Sequence, residues 1–417
     1  MLKISVLFFT SLFFFYGFGL NNMFNALGTD LSLTYHLSPM GLGWVSSMYF
    51  WANVVSLIPM GILCDRMSPK KIILGALLIS VVTVVFIAIS HQLWILILSR
   101  LLMGVAGGCI FVGCMRIAVN WFPLSSMARA AGFIVTMGMF GGFMVQSPFI
   151  ILIKNFGWRE ALLIAAGIGL VIFILIFFGV KDQPKKYMNN LEKDLKIEGA
   201  VPVSSLGSLL GNLKLALGNS QNWFAGLAGS LNNLPIFLLG ALWGVPYLSH
   251  VHGFTETESG LISGMLYFGT MLGSPLIGMI SDKLEQRKLP MLVGIVCSIV
   301  LIELCVHVSF NNLAVWCVLF FLLGVTASAQ VLAYPIVAES NSKNIISTAT
   351  AIISMQMLLG GAISEPLFGY VLTYFSESRS LSGAYQGAIQ ILPIAFVFAL
   401  GAACLIKESY FKNKMKF

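Results

Sequence analysis

The sequence predicts an all-α membrane protein, twelve transmembrane helices arranged as two pseudo-symmetric six-helix bundles. Three observations carry this. Twelve apolar stretches run along the chain, most of them long enough to cross about 30 Å of hydrocarbon as helix. One long polar interval divides them six and six. A loop signature after the second stretch returns after the eighth. Composition agrees: 58% of the 417 residues are hydrophobic and 10% are charged, too little charge for a soluble chain of this length. The expected organisation is an N-terminal bundle over residues 1–180, a linker over 181–222 and a C-terminal bundle over 223–417.

In order, the first span (4–28) begins after Lys3 like a signal peptide, but it runs too long and lacks a clear small-residue cleavage site. It reads as a retained helix that carries "GLNN" (19–22). The second (41–63) ends in "GILCDRMSPKK" (61–71), and the third covers 72–90. The fourth (94–120) holds Arg100 and Arg116, and the fifth (127–151) holds "GGFMVQSP" (141–148). After the sixth (160–180) comes the polar interval. The seventh (223–249) carries "SLNN" (230–233), Pro235 and Trp243, and the eighth (258–281) ends in "GMISDKLEQRK" (278–288). The ninth (289–308) contains Glu303 and His307, and the tenth (313–337) contains Gln330, with Glu339 just beyond. The eleventh (346–372) has "GGAISEPL" (360–367), and the twelfth covers 386–406.

Charge sets the orientation. With the N-terminus in the cytoplasm, 19 of the 24 lysines and arginines lie in cytoplasmic segments and three (Lys154, Arg159, Arg379) lie outside. Both termini are therefore expected in the cytoplasm. The net charge of +8 faces an anionic leaflet and calls for no nucleic acid. The seven cysteines lie in or at the edges of spans, so neither disulfides, nor a metal site, nor a cofactor is expected.

The two loop signatures share a spacing: glycine, three residues, aspartate, a cation, and another cation five residues after the aspartate. Repeated halves of this kind build two-state transporters with the solute held between them. "GILCDRMSPKK" resembles motif A of the major facilitator superfamily, and Arg100, Gly104 and Gly108 resemble its fourth-helix motif. The resemblance spans nearly the whole chain. It implies that helices 1, 4, 7 and 10, with 2, 5, 8 and 11, line a central path, while 3, 6, 9 and 12 support them from outside. In motif A, Gly61 would let two helices approach. Asp65 would offer a carboxylate that Arg66, Lys70 and Lys71 pair with across the seam between halves in one state only, with Asp282 and Arg287 as the repeat.

A charged side chain inside a span costs roughly 2.5–3.5 kcal/mol, which makes each one a functional candidate. Arg100 reads as a structural partner or a coupling group, and Arg116 as an anchor or gate near the cytoplasmic end. Glu365, beside Pro366 and matched by Gln146 in the other half, is the sharpest carboxylate. Glu303 and His307 read as structural, and Glu339 as a gate contact for Lys343 or the motif A cations. Amides both donate and accept, so Asn21, Asn22, Asn25, Asn232, Asn233, Gln330 and Gln356 suit a zwitterion or a polyol. Tyr16, Trp243, Tyr247, Tyr267 and Tyr334 would be aromatic walls. Asn232 is expected about 9 Å nearer the cytoplasm than Asn21, so the two asparagine pairs are two polar stations at different depths.

"NWFP" (120–123), "GWR" (157–159) and "WGVPYLSHVHGF" (243–254) resemble the organic-anion and sugar-phosphate permease branch, but Asn22 and Phe237 stand where carriers of phosphorylated compounds have arginines. "GMFGGFMVQSP" (138–148) lacks the order of the drug-antiporter motif. "MYFWANVVSLIPMGILCDR" (48–66) is similar to the second helix of lysosomal dipeptide carriers and their bacterial relatives. The expected function is a bacterial inner-membrane importer of amino acids or short peptides, with protons as the candidate coupling ion. Its partners are a small solute and the bilayer, and it is expected to be monomeric. An organic-acid or siderophore transporter is the alternative. A non-transporting nutrient sensor is the alternative of another class, and the 11 residues after the last span argue against it. No nucleophile and base lie at a recognisable spacing, so an enzyme is not expected.

Overall fold

The computed structural model describes residues 2–122, 126–183, 206–307, 312–342 and 345–410, and among these the side chains of residues 2, 65, 128 and 206–210 are excepted. The described elements are all helical. Eleven helices are long and apolar enough to cross a membrane, and the pair Ser220–Gly240 and Gly244–His252, bent by 67°, completes twelve when taken as one span. Span 1 comprises Leu2–Asn22 and Phe24–Tyr35, span 2 Pro39–Arg66, span 3 Pro69–Ile89, and span 4 Leu93–Gly107 with Ile110–Trp121. Span 5 is Met127–Met144 with Ser147–Phe156, span 6 Trp158–Gly179, and span 7 Ser220–Asn232 continued through a π turn at Ile236–Gly240 to Gly244–His252. Span 8 is Glu256–Leu284, span 9 Lys288–His307, span 10 Leu313–Ala327 and Ala333–Ser340 across a 3₁₀ turn, span 11 Ile346–Ser376, and span 12 Leu381–Ala388 with Ile391–Leu405.

The starts of these helices are written locally. Ser38 and Ser68 accept hydrogen bonds from the backbone N–H of Gly41 and Lys71, and Pro39 and Pro69 follow them where a missing N–H costs nothing. Thr255 and Glu258 form a reciprocal capping box at the start of span 8. One helix differs from expectation: Leu206–Gly218 lies inside the interval read as a polar linker, and the helix of span 7 begins at Ser220. Asn222 donates to Ala216 O at 2.8 Å and Trp223 to Leu217 O at 2.8 Å, which ties that helix to the base of span 7.

Each half repeats the same close packing. A Cβ on Gly104 of span 4 would stand 2.7 Å from Ala52 Cβ of span 2, and one on Gly324 of span 10 would stand 2.9 Å from the Leu266 carbonyl carbon of span 8. Only glycine allows this approach. Spans 6 and 12 turn apolar side chains outward, Phe178 at 76% exposure and Phe398 at 65%, as helices facing lipid do.

The chain ends and the loops after spans 2 and 8 share one face, called here the tail face; the other is the far face. The halves meet through the part of the seam toward the far face. Glycines 43 and 369, of spans 2 and 11, admit the backbones of Glu365 and Pro39 respectively. Gly142 of span 5 packs on Tyr267 of span 8, and Phe50 meets Phe237 edge-on at 5.1 Å. Lys154 reaches Thr257 Oγ1 at 3.1 Å at the far end. Toward the tail face, by contrast, a Cβ on Gly61 of span 2 or Gly278 of span 8 would meet nothing within 4 Å.

Candidate functional site

Two charged side chains are buried among the described residues, Arg100 and Glu365, one from each half. Arg100 sits two turns below the far end of span 4. Its guanidinium lies over the Phe24 ring at 4.0 Å and near Tyr49 at 5.2 Å, a setting that holds a cation out of water. Nη2 donates to Ser46 O at 2.7 Å and Ser46 Oγ at 3.4 Å. Glu365 faces Ser46 and Arg100 across the seam. The pair stays incomplete: Nε and Nη1 of Arg100 and both carboxylate oxygens of Glu365 have no hydrogen-bond partner. Trp243 stacks on Phe368 at 5.2 Å and 23° and donates to Glu365 O at 3.3 Å, fixing the main chain beside the carboxyl. Two buried opposite charges that approach without closing are costly to retain, and sites of this kind are where a membrane protein exchanges a proton or a charged solute.

Beside this pair a neutral network crosses the seam. Asn22 Oδ1 accepts from Tyr267 Oη at 2.8 Å. Asn25 donates to Gln146 Oε1 at 2.7 Å and Leu239 O at 3.1 Å and accepts from Val245 N at 2.9 Å. Gln146 donates to Gly240 O at 3.0 Å and more weakly to Gly142 O. Asn21 is buried nearby with an unpartnered Oδ1.

The remaining sequence candidates lie elsewhere. Asn232 donates to Thr326 O and Ala327 O, both at 3.2 Å and both in its own half. Asn233 caps the first helix of span 7, and Gln330 is half-buried in the 3₁₀ turn of span 10. The two asparagine pairs thus serve different contacts, a cross-seam bond for Asn22 and an internal one for Asn232. Arg116, read as an anchor or gate near the cytoplasmic end and kept among the binding or coupling candidates, is exposed and lines a cavity of about 210 Å³ at the tail face with Cys64, Ser68, Asn120 and Asp182. Span 4 is broken at Gly108 and Cys109, and Arg116 lies more than four turns from Arg100.

The motif A loops also differ from expectation. The helix approach foreseen at Gly61 is absent, and Arg66 is exposed. The side chain of Asp65 and the whole of Lys343 lie outside the described residues. Lys70 serves its own half: Nζ donates to Phe177 O at 2.6 Å and its backbone N–H to Asp182 Oδ1 at 2.9 Å, while Ser68 donates to Asp182 Oδ2 at 2.5 Å. In the repeat, Arg287 pairs with Asp282 at 2.6 Å and Glu339 at 3.0 Å. The N–H groups of Arg287 and Lys288 donate to Glu408 at 2.9 and 3.0 Å, and Ser409 bonds Glu339 at 2.7 Å. Glu303 and His307 pair with each other at 3.0 Å on an exposed face, as a structural pair.

Asn25 and Ser46 carry more of the site than the sequence suggested. The signal available for Ser46 was its place one helical turn before Phe50 and two before Asn53, on the face of span 2 turned to the seam.

Two repeated helical halves, packed on one another toward one face, with opposite charges buried between them, define a membrane carrier. The chain belongs to the Major Facilitator Superfamily, whose profile matches residues 7–245 and again 225–416. It is 24% identical over 394 residues to the probable galactarate/D-glucarate transporter GudP of Escherichia coli, covering 87% of this chain and 84% of that protein. It is 26% identical to sodium-dependent phosphate transport protein 1 of Mus musculus, covering 82% and 76%. Among solved structures, a bacterial homologue of the lysosomal transporter Spinster, inward-facing and unoccupied, superposes with a TM-score of 0.75 at 16% identity, covering 99% of this chain and 97% of that one. The protein is a secondary transporter of this superfamily.

Proposed function

We propose that the protein carries a small organic acid anion together with protons, across a bacterial inner membrane with both termini in the cytoplasm. The observation that carries this is the buried pair of Arg100 and Glu365, one cation and one carboxylate on opposite halves. An anion reaching Arg100 takes the place of Glu365 as its partner, and Glu365 then travels as the neutral acid. Each charge thus has a partner at every stage, which a low-dielectric site requires. Relatives named for galactarate, glucarate and phosphate support an anionic solute and move the reading away from the amino acids or short peptides that the sequence favoured. The amino-acid reading keeps one support, the presence of both signs of charge. Lysine and arginine bias supports a cytoplasmic tail face, and the open space at Gly61 and Gly278 supports reading this conformation as inward-open. In that state Arg100 is sealed, so the anion meets it from the far side when the far seam opens.

The test is uptake into proteoliposomes with labelled hexarates, smaller carboxylates, sulfonates, phosphate, amino acids and dipeptides, with and without a pH gradient. Saturable uptake of an acid, accelerated by an alkaline lumen, is expected. Saturable uptake confined to amino acids or dipeptides overturns the proposal.

A further inference from the structure

Span 7 does not satisfy its own backbone where it bends. Trp243 N bonds back to Leu238 O at 2.7 Å, one residue further than an α-helix would, and this displaces the pattern around it. In a continuous α-helix Leu239 O would take the N–H of Trp243, Gly240 O that of Gly244, and Val245 N would donate to Ala241 O. Instead all three groups are met by the other half of the molecule. Asn25 Nδ2 donates to Leu239 O, Gln146 Nε2 donates to Gly240 O, and Asn25 Oδ1 accepts from Val245 N. Asn25 and Gln146 are locked to one another, so the two amides act as one unit.

Separating the halves at the far face removes all three partners at once. Bare backbone groups at membrane depth are strongly unfavourable, and an α-helix restores them internally. We propose that Asn25 is the latch of the far seam and that the break in span 7 exists only while the latch is engaged. As the seam opens, residues 239–245 rewind into α-helix, so the bend of span 7 and the closure of the far face are one event. Asn25 is therefore a positioning residue for the transport cycle. The inference is independent of what the solute is, because it rests on neutral amides and main-chain groups.

The experiment places spin labels at positions 154 and 257, whose side chains meet in the closed far face, and measures their distance distribution in nanodiscs. In Asn25→Ala the far-open population is expected to rise about tenfold over the parent, as loss of three coupled bonds allows. Asn25→Asp keeps the acceptor for Val245 N and loses both donors; it is expected to lie between, and it serves where the alanine variant does not fold. Amide exchange at Gly244 and Val245 in the opened population is expected to slow as the helix re-forms. Distance distributions of folded Asn25 variants that coincide with the parent overturn the latch. A far-open population whose Gly244 and Val245 amides exchange faster overturns the rewinding.

Discussion

Lys70 and Lys288 make the same bond in the two halves: each donates its Nζ, at 2.6 Å, to a carbonyl near the end of the last helix of its half, Phe177 O and Cys404 O. The N–H of each also meets a carboxylate just past that helix, Asp182 or Glu408. The duplication has thus conserved a hook that fastens the third helix of each bundle to its sixth. At the tail face Lys70, Asp182, Asp282, Arg287, Lys288, Glu339 and Glu408 spend their charge inside their own halves, holding each bundle together.

Glu408 makes this hook sensitive to pH. Burial pushes its carboxyl toward the neutral acid, but the N–H groups of Arg287, Lys288, Tyr410 and Ser409 outweigh that and hold it below the ordinary glutamate value. A depressed carboxylate contributes stability above its unfolded value, about 4.3, and loses it as pH falls through the folded value. The melting temperature of the parent in detergent is expected to drop between about pH 5 and pH 3, and that of Glu408→Gln to start lower and change less. Parallel curves refute this.

Glu365→Gln keeps the shape of the site and removes the exchangeable proton. Accumulation of solute against a gradient is expected to be lost while exchange of preloaded solute continues within about threefold of the parent. Accumulation at the parent level would make Glu365 a structural residue.

Arg100→Lys retains the charge but not the planar guanidinium, whose Nη2 reaches Ser46 O and Oγ and whose Nε and Nη1 stand free for an anion. The expectation is an apparent KM raised by about tenfold or more with a melting temperature near that of the parent. An unchanged KM removes Arg100 from the solute path.

Gly43→Ala tests the far seam by crowding it, since its Cβ would come 2.6 Å from Glu365 O. The variant is expected to favour the far-open state, making Ser46→Cys in the same background reactive to impermeant thiol reagents added from the far side. Labelling no faster than in Ser46→Cys alone counts against close packing as the seal.

Gly61→Leu reports on the state not seen here. A Cβ on Gly61 would meet nothing within 4 Å in this conformation, so stability is expected to hold while turnover falls about tenfold or more, as the closed tail face cannot form. Parent-like turnover would confine Gly61 to one state of no consequence.

The sequence made some of this legible for physical reasons. Twelve spans follow from the length of hydrocarbon to be crossed, and Arg100 and Glu365 declare themselves because charge inside a span is rare. Asn25 does not, because its partners are the carbonyl of Leu239 and the N–H of Val245, main-chain groups more than 200 residues away that no side-chain pattern encodes. The bend of span 7 is similarly hidden: Pro235 hints at a break, but the π turn follows it at Ile236–Gly240 and depends on groups supplied by the other half. Gly61 misled because a motif records every state of the cycle, whereas a structure holds one. Arg116 was legible as a residue of the tail face from its place just before Trp121, though the break in its helix at Gly108 and Cys109 was not.

Between the Lys154–Thr257 contact at its rim and the facing charges of Arg100 and Glu365, the far seam is sewn with amides, a phenol and main-chain groups, whose hydrogen bonds across it carry no net charge. Bonds of that kind are indifferent to the ions in the medium, because screening acts on charges. Closure on that side is consequently expected to depend on geometry and on the dryness of the interior more than on the salt of the medium, which reaches only the Lys154 contact at the rim.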